Sequence, residues 1–123
     1  MTKTAWKRRI KQACSEAGTY RPFFDAVIDT LAGILEKRDM AQEMFERSGG
    51  NVLVKHTNKS GATNIEQSPV LRLINDLNRD ALAYWRDLGL TPAGLKKLNE
   101  AALKPTVKKT ALEDALGSFG GST

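Results

Sequence analysis

SPVLRLINDLNRDALAYWRDLGLTPAGLKKL, residues 68–98, is the stretch whose reading decides the fold. Ser68 followed by Pro69 is a helix start: the serine hydroxyl can accept an unpaired first-turn N–H, and proline has no N–H to leave unpaired. Val70, Leu71, Ile74, Leu77, Ala81, Leu82, Trp85 and Leu88 then recur at helical period as far as Gly89, which can stop the helix in a left-handed conformation. After one apolar residue, Leu90, the pair Thr91-Pro92 repeats the start signal for a short fourth helix carrying Leu95, Leu98 and Ala102. Pro105 ends it. Two short-linked helices with a glycine between them fit a helix-turn-helix reader, which would turn Lys96 and Lys97 toward DNA. They fit simple corner packing as well, with Leu90 as the plug.

Working back from this stretch, Asn51 to Gln67 is a different kind of sequence. Val52 to Thr57 is rich in β-branched residues, Asn58-Lys59-Ser60-Gly61 is a turn cluster, and Ala62 to Gln67 can return as a second strand. The expectation is a β-hairpin, with a loop as the alternative. A lone hairpin is marginal in water, so it needs helices or another subunit to pack on. Before it, Phe24, Val27, Ile28, Leu31, Ile34, Leu35, Ala41, Met44 and Phe45 form the apolar stripe of a long second helix. Thr19 is its expected N-cap, Pro22 lies in its first turn, and Ser48-Gly49-Gly50 ends it. Asp25, Asp29, Glu36, Lys37, Asp39, Glu43, Glu46 and Arg47 are assigned to its outer face. The first helix spans Thr4 to Ala17, with Trp6, Ile10, Ala13, Cys14 and Ala17 on one face and Gly18 as its stop.

The expected fold is therefore mainly α, with about four helices and a small β-hairpin between helices two and three. Residues 1–105 form the helical domain and residues 106–123 a flexible C-terminal tail, helical only weakly from Ala111 to Leu116 and rich in glycine and serine at its end. At 123 residues the chain suits one compact domain. No run approaches the roughly 18 apolar residues of a membrane span, and no signal-peptide core follows the basic start. A single cysteine, Cys14, excludes an internal disulfide framework, so the expectation is a soluble protein of a reducing cytosol.

Catalytic chemistry is hard to build from these residues. Gly49-Gly50 lacks the Lys-Ser/Thr partner of a phosphate loop. His56 is the only histidine, so any Ser-His or Cys-His nucleophile would depend on it, and a zinc site needs more than one histidine and one cysteine. Asp76 and Asp80 lie four apart near Arg72 and Arg79, which reads as surface ion pairing. The expectation is no enzyme, no metal and no cofactor.

Charge is informative by its distribution. The net +5 arises at the ends: residues 1–21 carry six Lys/Arg against one acid, while residues 22–95 carry eight against ten. Lys3, Lys7, Arg8, Arg9 and Lys11 surround Trp6 on the first helix, and Lys96 and Lys97 follow the Thr91-Pro92 start. Rows of cations on a helix suit a phosphate backbone because they displace its counterions. They suit a merely solvated helix face too.

Leu88-Gly89-Leu90-Thr91-Pro92, after an amphipathic helix that begins at a proline, resembles the C-terminal signature of a family of phage terminase small subunits. In that family the GLTP run is followed by a small residue, then basic residues and a leucine. Ala93, Lys96, Lys97 and Leu98 match this outline. Gly94 and Leu95 depart from it, since a polar and a basic residue are more usual there. Tyr20 and Pro22 before a long helix, an irregular segment and then Ser68-Pro69 follow a similar order, so the resemblance covers roughly residues 15–100, with its specific part at 68–98.

The resemblance implies a non-enzymatic, ring-forming component of a DNA-packaging motor in the host cytoplasm. Its partners would be double-stranded DNA at the packaging site, further copies of itself, and a large terminase subunit that carries the ATPase and nuclease, with no membrane. The long second helix and hairpin are then candidates for the subunit contact, and the tail, including Phe119, for docking the large subunit. Two rivals remain: a dimeric helix-turn-helix regulator, dependent on Lys96 and Lys97, and a phage structural adaptor that forms a ring but ignores DNA.

Overall fold

The computed structural model describes residues 1–101. Three α-helices have both ends there: α1 (Lys3–Ala17), α2 (Asp25–Arg47) and α3 (Pro69–Asp87). A single 3₁₀ turn, Pro22–Phe24, leads into α2, and an antiparallel hairpin of β1 (Leu53–Thr57) and β2 (Thr63–Gln67) joins α2 to α3. Residues 92–101 are helical to the last described residue, so the far end of the expected fourth helix lies outside them. So do Ala102, Pro105 and the whole 106–123 tail with its Ala111–Leu116 stretch. The mainly helical fold with a small hairpin stands. No helix among the described residues is long and apolar enough to cross a membrane.

Glycine ends every one of the three helices in the same way. Gly18, Gly49 and Gly89 all sit at positive φ. At each, the glycine N–H reaches back three residues and the next N–H reaches back five: Thr19 to the Cys14 carbonyl at 2.9 Å, Gly50 to Phe45 at 2.9 Å, Leu90 to Trp85 at 2.8 Å. These paired bonds satisfy carbonyls that the helix leaves open. The starts are equally local. Thr2 Oγ1 accepts from the Ala5 N–H at 3.1 Å, Ser68 Oγ from Leu71 at 3.3 Å and Thr91 Oγ1 from Gly94 at 3.0 Å.

Thr19 does not cap α2. It is buried, and its hydroxyl points back to the Cys14 carbonyl at 3.4 Å. The 3₁₀ turn takes over the entry to α2, with Arg21 in its N-cap position making no side-chain cap. The α1 stop and the α2 start therefore need separate residues, and Thr19 belongs to the first.

The packing order follows from which residues meet. The Lys3 N–H donates to Glu36 while Lys7 reaches Asp29, so α1 runs antiparallel to α2 and covers it from about Asp25 to Asp39. Ile10 and Cys14 of α1, Ile28, Leu31, Ala32 and Leu35 of α2, Ala81 of α3 and Leu88 just beyond it form the buried cluster. Each large aliphatic side chain in it contributes roughly 1.5–3 kcal/mol by leaving water. Trp6, Tyr20, Phe24, Tyr84, Trp85 and Leu90 pack around this cluster, so Leu90 is the corner plug its position suggested.

Beyond Asp39 the helices α2 and α3 run on without α1. This second half of the molecule, the arm, carries exposed Met40, Met44, Val52, Leu53, Ile65 and Leu73, six of the nine large apolar side chains left exposed among the described residues. Met44 therefore leaves the core stripe expected for it. In the hairpin, Leu53 faces Gln67, Lys55 faces Ile65 and Thr57 faces Thr63. Its turn is held by Asn58, whose Oδ1 accepts from the Ser60 and Ala62 N–H groups, with Gly61 at φ +84. Nine of its ten strand residues are exposed.

Candidate nucleic-acid interface

The basic residues of α1 are held in place by α2. Lys3 Nζ lies 3.1 Å and Lys7 Nζ 3.2 Å from the two carboxylate oxygens of Asp29. Hydrogen bonds from Lys3 and then Lys7 hold the Asp29 carboxyl below its usual range. One carboxylate between two ammonium groups leaves a net positive site.

Trp6 is anchored nearly three turns further along α2, at Asp39. Its indole N–H donates to Asp39 at 2.7 Å, and the Arg9 and Arg38 guanidinium groups lie over its ring at 5.7 and 5.4 Å from the centroid. Burial pushes the Asp39 carboxyl up, but bonds from the Met1 amine, Trp6 and Arg38 outweigh it and hold the group below its usual range. Lys11 lies over the Tyr20 ring at 5.1 Å, and its ammonium is raised above the ordinary lysine value, first by a hydrogen bond with Tyr20. Arg8 has no carboxylate at ion-pair distance among the described residues. With Lys7, Lys11, Asp25 and Ile28 it lines a cleft of 180 Å³.

Asp29, Glu36 and Asp39 thus correct the assignment of the α2 acids to an outer face: they receive α1. The signal was in the sequence. Asp25, Asp29, Glu36 and Asp39 are spaced by four, seven and three residues, a single helical stripe, and Lys3, Lys7 and Lys11 are spaced by four. Two complementary stripes on successive helices are a docking pattern that reading each helix alone misses.

Lys96 and Lys97 are exposed on the 92–101 segment, which leaves α3 through a close-packed corner. A Cβ on Gly94 would lie 2.2 Å from the Arg86 carbonyl oxygen, and one on Gly89 2.7 Å from Leu98 and 2.9 Å from Thr19. Leu98 and Asn99 share a 290 Å³ cleft with Gly18, Thr19 and Arg21. The corner therefore packs against Thr19 just after α1, so the segment lies in the half of the molecule that α1 covers, the head.

The sequence profile described as phage terminase, small subunit, matches residues 2–104. The chain belongs to that family. No curated protein and no solved structure gives a significant match. A terminase small subunit is a non-catalytic component, so this chain is not an enzyme. His56 is an exposed strand residue opposite Asn64, and Cys14 is fully buried, its thiol pushed up by desolvation. The one departure of this small subunit's GLTP region that the packing accounts for is Gly94, where the Arg86 carbonyl leaves no room for a side chain.

Proposed function

We propose that this small subunit is the oligomeric DNA-recognition and regulatory component of a viral genome-packaging motor, acting in the host cytoplasm. It binds packaging-site DNA through its head and recruits or regulates the separate large subunit that carries the ATPase and nuclease. The family membership supports the packaging role. The observation that carries the DNA half is the meeting of the 92–101 segment with the end of α1. That meeting brings the segment bearing Lys96 and Lys97 against the end of the helix that bears Lys3, Lys7, Arg8, Arg9 and Lys11. Each contact is weak alone, and Asp29 weakens two of them further. A closed ring repeats the patch in every subunit, which converts weak contacts into useful avidity.

A salt titration of binding to double-stranded packaging-site DNA, read by fluorescence anisotropy, tests this. Replacing Arg8 and Lys11 together by alanine should lower the slope of log affinity against log salt by about 1.8, roughly 0.9 for each lost phosphate contact. A larger loss from Lys96→Ala with Lys97→Ala would move the reading to a helix-turn-helix reader. Binding unchanged by either pair would leave the head without a DNA role.

A further inference from the structure

The arm carries both halves of one contact. Its hairpin presents a ridge: strand alternation and register put Leu53, Lys55, Thr57, Thr63, Ile65 and Gln67 on one face, and Thr57 Oγ1 lies 3.2 Å from Thr63 Oγ1 across it. Leu53 and Ile65, the two apolar members, are 61% and 68% exposed. Its helices present a hollow: Lys37, Met40, Ala41 and Met44 of α2 and Leu73 and Leu77 of α3 line a groove of 240 Å³. No hairpin residue lines that groove.

We infer that copies of this chain associate head to tail, with the hairpin ridge of one seated in the α2/α3 groove of the next. The inference rests on the oligomeric half of the function proposed above and names the surfaces that serve it. Three observations favour a second copy as the occupant. A two-stranded hairpin with nine exposed residues is too weak to hold its form unaided, so it needs a surface, and the chain itself supplies an apolar one of matching character. The charges oppose: the hairpin has Lys55 and Lys59 against Glu66, whereas α2 from Glu36 to Glu46 has four acids against Lys37 and Arg38. A two-fold contact of groove on groove would set Lys37 against Lys37 and leave Leu53 and Ile65 in water. A ridge-into-groove contact is heterologous, and heterologous contacts are the kind that close into rings.

Ile65→Asp damages the ridge and Met44→Asp the groove. Both side chains are exposed, so neither change alters the melting of the isolated chain, which circular dichroism verifies. By light scattering after gel filtration, each variant alone should associate at least roughly thirtyfold more weakly than wild type, the scale of an interface hot spot. Mixed one to one, they should form a two-chain particle, because an intact ridge then meets an intact groove. Variants that keep the wild-type mass overturn this contact and leave the ring standing on other surfaces. The same holds if they keep that mass but lose the large subunit, which would then own the surface. A mixture that stays monomeric overturns the head-to-tail arrangement. A wild-type chain that is monomeric at every concentration overturns both this contact and the oligomeric reading.

Discussion

One helix serves two different halves of this molecule. From Asp25 to Asp39, α2 is covered by α1, its acids are matched to lysines and an indole, and Ile28, Leu31, Ala32 and Leu35 are buried. From Met40 to Arg47 the same helix faces α3 alone, with Met40 and Met44 more than half exposed. What changes along the helix is the number of neighbouring elements. A helix stripe becomes core only where enough elements close around it, and the uncovered remainder is surface available to a partner.

The largest effect expected from this contrast is on stability. Leu31→Ala in the head should cost about 3 kcal/mol in chemical denaturation, because it leaves a cavity in packing that cannot collapse. Ile65→Ala in the arm should stay within about 0.5 kcal/mol for the dissociated chain. Comparable losses at the two sites would abolish the distinction. Next comes Gly94→Ala, which forces a methyl group onto the Arg86 carbonyl and should cost about 2 kcal/mol in the same experiment. A neutral result would mean that the 92–101 segment shifts freely and is no fixed part of the head.

The smallest effect is acid sensitivity. Asp29 and Asp39 titrate lower in the folded chain than the ordinary carboxylate value, so their contribution is present above about pH 3.9 and is lost as pH falls through the lowered values. Asp29 is solvent-exposed, so a modest acid destabilisation is expected, absent in Asp29→Asn with Asp39→Asn. Acid unfolding of equal size in that variant would locate the sensitivity elsewhere.

Most of the fold was legible because its punctuation is local. Gly18, Gly49 and Gly89 stop helices, and Ser68-Pro69 and Thr91-Pro92 start them, through bonds within five residues along the chain. The hairpin was legible for the same reason, in Asn58 and Gly61. Three features were not, because each depends on residues distant in sequence. The docking of α1 needs Asp29 and Asp39 read against Lys3, Lys7 and Trp6. Burial of Thr19 goes with the close approach of Gly89, seventy residues away in sequence. Exposure of Met44 depends on α1 being too short to reach it. Of the DNA-binding candidates, sequence supplied the residues and their row along α1, and the structure supplied what restrains them.

Because α2 runs unbroken through both halves, it also makes the molecule a lever. Its 23 residues span roughly 35 Å. A tilt of about 10° pivoting at the α1 end would swing the hairpin end by roughly 6 Å, more than the height of one helical turn. A small tilt at the α1 end therefore reaches the hairpin end magnified in distance, and motion at the hairpin end returns to the α1 end reduced in distance and multiplied in force.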